Sequence, residues 1–189
     1  MGKSGFHRFK LSKHVLEALD AKGWTKPTEI QRDTLQAALY GRDLVGQAQT
    51  GSGKTAAFGI PIIEATSATR QTQSLILCPT RELAVQVANE MEWLQGDKGL
   101  TIETVYGGTD LERQAKKLNA GVDIIVGTPG RVIDMTKRAH LELSKIEIFC
   151  LDEADRMFDL GFEPQINSCL LYTSPSPRDL WISRMPSSA

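Results

Sequence analysis

Cysteine is scarce in this 189-residue chain. The three present, Cys78, Cys150 and Cys169, are odd in number and widely separated. That excludes a disulfide framework and the close cysteine pairs of a structural zinc site. Cys78 and Cys150 each fall within an apolar run, which points to buried thiols in a reducing cytosol. Charge of one sign is also lacking: the formal net charge is -1. A polyelectrolyte tail for gripping nucleic acid is therefore excluded, and any such binding must come from a few placed groups. No apolar run is long enough for a membrane-spanning helix. The first residues, Met1-Gly2-Lys3-Ser4-Gly5-Phe6, lack the apolar core of a signal peptide. Phe6 also stands where a myristoylation signal needs Ser or Thr. The expected location is cytoplasmic.

What is present is ordinary for a globular protein, with 41% hydrophobic and 24% charged residues,. The length suits one domain or one and a fraction. Ser12 to Lys22 reads as a helix, capped by Ser12 and ended by Gly23. After Pro27, the run Thr28-Glu29-Ile30-Gln31 has the form of a capping box and starts a second helix. Short apolar runs then alternate with helix-length amphipathic segments. The runs lie around Leu44-Val45, Ser74 to Cys78, Thr101 to Tyr106, Asp123 to Val126, and Ile146 to Leu151. The spacers include Thr55 to Ile63, Glu82 to Leu94, Leu111 to Leu118 and Arg131 to Lys137. Near-continuous apolar strands separated by helices predict an α/β fold, a parallel sheet with helices on both faces. Right-handed crossovers then align the strands' C-terminal ends along one edge, where ligands of open α/β sheets bind.

Two motifs sit at that expected edge. Ala48-Gln49-Thr50-Gly51-Ser52-Gly53-Lys54-Thr55 follows the first apolar run and opens a helix, the context a P-loop requires. Gly51 and Gly53 let backbone N–H groups turn around phosphate oxygens, at the positive end of the following helix. Lys54 reaches the β- and γ-phosphates, and the Thr55 hydroxyl can ligate Mg²⁺. Asp152-Glu153-Ala154-Asp155 directly follows the last apolar run. Asp152 is placed to hold Mg²⁺ through water, and Glu153 to polarise the attacking water. Alone, the first motif could be a glycine-rich turn and the second an acidic helix start. Together they make the two halves of an ATPase site.

With these residues in place the chain resembles the DEAD-box RNA helicases. Asp152 to Asp155 matches that family's signature, and Ala48 to Thr55 its form of the P-loop. Pro79-Thr80-Arg81-Glu82-Leu83-Ala84, Gly107-Gly108 and Thr128-Pro129-Gly130-Arg131 match its RNA-facing motifs in order. Gly23-Trp24, Pro27-Thr28 and Ile30-Gln31 match its adenine-recognition motif, with Phe6 at the upstream aromatic position. The resemblance runs from Phe6 to about Asn167. It implies a RecA-like P-loop NTPase domain, incomplete at its C-terminal end. Gln31 would read the adenine edge with its amide, and Phe6 would stack on the base. Gln31 also serves the capping box, and the two duties are compatible. Pro79, Thr80, Arg81, Gly107, Gly108, Thr128, Pro129, Gly130 and Arg131 would hold one RNA strand by its sugar-phosphate backbone, without reading sequence. Pro129-Gly130 and Gly107-Gly108 also have a plainer reading, as simple turns. Glu82 reads as a partner at its helix start. His7, His14 and His140 match no motif.

The family pattern breaks off after Asn167. In the family, a strand ending in Ser-Ala-Thr, a linker and a second RecA-like domain follow, and that domain carries arginines that complete the ATP site. None of that text is present here. The resemblance places the missing strand between the strand feeding the P-loop and the strand feeding Asp152. The expectation is a domain over residues 1–168 and a non-family tail over 169–189. From Tyr172 the tail is rich in Ser and Pro and expected to be unstructured. It reads as translated adapter or vector sequence. The functional expectation is a fragment of an ATP-dependent RNA helicase using ATP and Mg²⁺, catalytically incompetent alone. The alternative is a non-catalytic nucleotide- and RNA-binding module. The guanine-selecting Asn-Lys-x-Asp of P-loop GTPases is absent.

Overall fold

The structure is a computed structural model, and it describes residues 5–49 and 51–173 and the backbone of 178–182. A short 3-10 helix, Gly5–Phe9, leads into α1 (Lys13–Ala21). The Ser12 hydroxyl caps α1 by accepting from the Val15 N–H, and Gly23 takes φ +71 just past its end. α2 (Glu29–Leu39) begins after Thr28, and α3 (Lys54–Ala65) begins at the P-loop. Four strands then alternate with helices: β1 (Ser74–Leu77), α4 (Arg81–Leu94), β2 (Ile102–Val105), α5 (Leu111–Asn119), β3 (Ile124–Gly127), α6 (Pro129–Lys137) and β4 (Ile148–Leu151). α7 (Ala154–Asp159), α8 (Glu163–Tyr172) and β5 (Arg178–Ile182) complete the order.

All pairings in the sheet are parallel, in the order β2-β3-β1-β4-β5. Successive strand residues point to opposite faces, so the alternation builds two cores. Ile76, Cys78, Ile124, Val126, Ile148 and Cys150 pack with the helices α1 to α4 on one face. Leu75, Leu77, Ile125, Phe149 and Leu151 pack with α5 to α8 on the other. β1, β3 and β4 are buried along their whole length, which is why they read as unbroken apolar runs,. Among the described residues no helix is long and apolar enough to cross a membrane.

Two expectations are corrected. The segment around Leu44-Val45 does not form a strand: Leu44 and Gln47 make isolated bridges only, and Val45 is exposed. Two apolar residues are too few to hold a strand without a partner beside them. The tail is not structureless throughout. α8 runs on to Tyr172 and buries Cys169 completely, across the expected boundary at 168. β5 lies parallel to β4, with a register irregularity between Phe149 and Leu151. The edge of β4 away from β1 is therefore paired with tail backbone. Pro175, Pro177 and Pro186 lie outside the described residues.

Candidate nucleotide and nucleic-acid site

The strand ends are laced together where the motifs sit. The Cys78 N–H donates to the Gly127 carbonyl (2.8 Å), the Thr128 N–H to the Val105 carbonyl (2.9 Å), and the Asp152 N–H to the Leu77 carbonyl (2.9 Å). These bonds set the exits of β1, β2, β3 and β4 side by side. A Cβ at Gly127 would lie 2.5 Å from the Val105 carbonyl oxygen, so only glycine fits that crossing,.

A cleft of about 310 Å³ is lined by Trp24, Gly51, Gly53, Lys54, Thr55, Leu83, Gln86, Glu90, Asp152 and Glu153. It gathers the P-loop and the acidic pair on one wall system, as the sequence predicts. Thr50 lies outside the described residues, and Ala48 is half-buried at the approach to the loop. Gly53 has φ +85, and the Ser52 N–H donates to the Gln49 carbonyl (3.2 Å), which closes the turn. Gln31 is buried and joins two elements. Its Oε1 accepts from the Thr28 N–H (2.9 Å), and its Nε2 donates to the Gly53 carbonyl (3.1 Å). A Cβ at Gly53 would come within 2.5 Å of that Nε2. The start of α2 is therefore tied directly to the glycine-rich loop through Gln31.

The loop fits a phosphate chain on two structural grounds. Among the described residues the buried Ser52 hydroxyl has no hydrogen-bond partner, an orphan that a phosphate oxygen would satisfy,. Space is open where a Cβ at Gly51 would point, so phosphate can approach the backbone closely. Lys54 is 9% exposed and lines the cleft. Burial raises the Asp152 carboxyl to about 6, opposed by Lys54 and reinforced by Glu153 and Glu90. Glu153 has φ 55, a left-handed conformation that is costly for a residue with a side chain,. Its carboxylate meets Arg156 at 3.3 Å.

Phe6 departs from expectation. It is fully buried in the core, so it presents no face on which a base can stack. The backbone explains this, because the Gly5 N–H donates to the Thr25 carbonyl (2.7 Å) and folds Phe6 inward. Glu90 was not legible as a site residue. It stands on α4, well along the helix from the Pro79-Thr80-Arg81 motif, and accepts a hydrogen bond from the Thr55 hydroxyl. Burial raises its carboxyl, against the pull of Thr55 and Lys22. The spacing Leu83, Gln86, Glu90 along one helix face was the available signal.

The second set of motifs lies beyond the ends of β1, β2 and β3. Pro79 is buried, Thr80 caps α4 by accepting from the Leu83 N–H, and Arg81 is exposed. The Arg81 guanidinium lies 5.0 Å over the Tyr106 ring,. Gly107 and Gly108 are exposed, with open space where a side chain would be, and Gly108 takes φ +81. Thr128 is the N-cap of α6, Pro129 its buried first residue, and Gly130 is exposed. Arg131 turns inward: its Nη1 donates to the Thr109 carbonyl (3.3 Å) and to Gln114 Oε1 (3.0 Å).

Known proteins are similar to this chain. A family model described as DEAD/DEAH box helicase matches residues 28–183. The DEAD-box ATP-dependent RNA helicase CshA of Streptococcus pneumoniae is 44% identical over 166 residues, which are 87% of this chain and 32% of that protein. The crystal structure of a DEAD box protein from the hyperthermophile Methanococcus jannaschii superposes with a TM-score of 0.90 at 40% identity, covering 97% of this chain and 50% of that one. A hypothetical ATP-dependent RNA helicase from Sulfolobus tokodaii gives 0.84 at 34% identity, covering 92% and 50%. The chain thus spans about a third of the curated relative and half of the solved structures. Its parallel sheet flanked by helices is the RecA-like fold of these neighbours. A family match over most of the length, on a fold shared at 40% identity, places the chain in the DEAD/DEAH box helicase family.

Proposed function

We propose that these residues form the ATP-binding half of an ATP-dependent RNA helicase acting in the cytoplasm. The observation that carries this reading is the common edge. The P-loop and Asp152–Glu153 line one cleft, Gln31 is hydrogen-bonded to the Gly53 carbonyl behind it, and the Arg81, Gly107–Gly108 and Thr128–Arg131 segments lie beside it at the same strand ends. ATP bound there supplies the phosphoanhydride whose hydrolysis drives the cycle. The backbone N–H groups around Gly51 to Lys54 hold its phosphates, and Lys54 neutralises their charge. Gln31 reads the adenine edge with an amide that both donates and accepts. Among the described residues no three His, Cys, Asp or Glu side chains gather into a metal cage. The Thr55 hydroxyl and the Asp152 carboxylate are a sparse donor set, which suits Mg²⁺ because it keeps most of its waters. Glu153 accepts the proton of the attacking water as general base. Thr80, Arg81, Gly107, Gly108, Thr128 and Gly130 hold single-stranded RNA by its backbone, without sequence selection. Phe6 acts from the core, fixing the adenine-recognition segment against α1. In the intact protein a second RecA-like domain closes over both sites and completes the ATP site with arginines.

The test is RNA-stimulated ATP hydrolysis by the intact protein. Glu153→Gln is expected to keep ATP binding and lower hydrolysis by about 10²–10⁴-fold, since only the general base is lost. A fully active variant would overturn the role of Glu153. Stimulation by DNA equal to that by RNA would overturn the substrate class.

A further inference from the structure

Two RNA-facing segments from different strand ends meet at one side chain that neither contains, and a third reaches the same place through the Tyr106 ring. Gln114 is on α5, 8% exposed, and every polar atom of its amide is engaged. Its Nε2 donates to the Tyr106 carbonyl (3.1 Å) and to the Thr109 hydroxyl (2.7 Å). Its Oε1 accepts from Arg131 Nη1 (3.0 Å). Tyr106 and Thr109 bracket Gly107-Gly108, so both ends of the exposed glycine loop are tied to one amide. The Thr109 hydroxyl closes the bracket by donating to the Tyr106 carbonyl (3.1 Å). Arg131 reaches the same place from α6, and the Tyr106 ring carries the Arg81 guanidinium from α4. The loop needs this tether. Gly107 and Gly108 have nothing within 4 Å of where a Cβ would stand, so packing does not define their conformation. Only an amide can serve here. It must donate twice to the loop and accept once from a guanidinium, which neither a carboxylate nor an ammonium group does.

We propose that Gln114 is a positioning residue for RNA binding, holding the Gly107–Gly108 loop, with Arg131 as a brace, in the geometry that grips a phosphate backbone. This rests on the RNA-binding reading above. It also assigns Arg131 a new duty, because its guanidinium braces the loop and leaves the strand contacts to backbone N–H groups and Arg81. Gln114 touches no nucleotide-site residue, so its loss should separate the two ligands.

The experiment uses the intact protein with two variants. Gln114→Met keeps the volume of the buried side chain and removes all three bonds. Thr109→Val keeps shape at a half-buried position and removes the hydroxyl that receives the 2.7 Å bond. Binding is read as fluorescence anisotropy of a labelled oligouridylate with a non-hydrolysable ATP analogue, beside the affinity for a fluorescent ATP analogue alone. Turnover is measured against RNA concentration. Gln114→Met is expected to weaken RNA binding by about tenfold, or about 1.4 kcal/mol, and to raise the KM for RNA while kcat at saturating RNA stays within about twofold. Nucleotide affinity stays unchanged. Thr109→Val follows in the same direction by about threefold. RNA affinity unchanged in both variants overturns the proposal. So does a parallel loss of RNA and nucleotide affinity, which marks a structural role only. If Gln114→Met does not fold, Thr109→Val decides by the same readouts. Failure of the unsubstituted protein to bind RNA overturns the RNA reading itself, and this inference with it.

Discussion

At the scale of single residues, the site holds more buried charge than a stable core tolerates for its own sake. Asp152 is the clearest case. Burial raises its carboxyl from the ordinary 3.8 to about 6, even with Lys54 attracting its charged form. The folded state therefore holds a proton at acidities where the unfolded chain has released it. The stability linked to this group is present below about pH 4 and is lost as pH rises through about 6,. At pH 7.5 the ionised carboxylate costs the fold on the order of 3 kcal/mol, since each tenfold weakening of the acid is worth about 1.4 kcal/mol. That figure already contains the attraction to Lys54. Asp152→Asn is therefore expected to raise the Tm of the metal-free protein at pH 7.5 by several degrees, with the gain shrinking toward pH 4. Equal Tm values for the two proteins at both pH values would contradict this account. The same substitution should weaken Mg²⁺-dependent ATP binding, since a carboxamide carries no charge for the metal. Glu153 shows a related cost, held left-handed at the start of α7,.

At the scale of elements, the parallel sheet was legible because its strands are buried on both faces. β1, β3 and β4 offer no polar alternation, and in the structure Thr80 and Asp110 cap the helices that follow β1 and β2 while Pro129 opens the one after β3. The P-loop was legible as a glycine-rich helix start, and the acidic tetrad because it occupies a strand exit. What was not legible depends on long-range pairing. The Leu44 to Gln47 segment has apolar residues but no strand beside it, so it contributes isolated bridges and leaves Val45 exposed. β5 sits in Ser- and Pro-rich text, and only the open edge of β4 makes it a strand,. Gln114 escaped notice because a glutamine in a strongly charged helix reads as solvent-facing. Its burial appears only once β2 and α6 are packed beside it. Phe6 was placed by its motif, whereas the fold places its ring in the core. The element-scale prediction concerns amide hydrogen exchange. In the 189-residue chain, amides of residues 43–47 are expected to exchange within seconds to minutes, far ahead of those of β1 and β3,. Protection of that segment equal to β1 would contradict the absence of a strand there.

At the scale of the whole molecule, two hydrophobic cores on opposite faces clamp a sheet whose strand ends gather the P-loop, the acidic pair and the segments proposed to hold RNA. Lacing bonds between strand exits mean that the segments proposed for nucleotide and for RNA share a rigid frame while keeping separate contacts. Coupling between them then calls for a body that touches both, and the relatives extend well beyond the matched region. The arginines expected from a second domain are worth about 10³–10⁵ in rate where related phosphoryl-transfer enzymes use them. In the function proposed above, Lys54, Thr55, Asp152 and Glu153 are already assigned to phosphate, metal and water, so none of them substitutes. The most direct measurement is made on the 189-residue chain itself, incubated with Mg-ATP and single-stranded RNA beside the intact protein. The account predicts weak nucleotide binding that favours ATP over GTP and is lost in Lys54→Ala, with negligible turnover and no unwinding of a short duplex. RNA-stimulated hydrolysis near that of the intact protein, or equal binding of GTP, would contradict it.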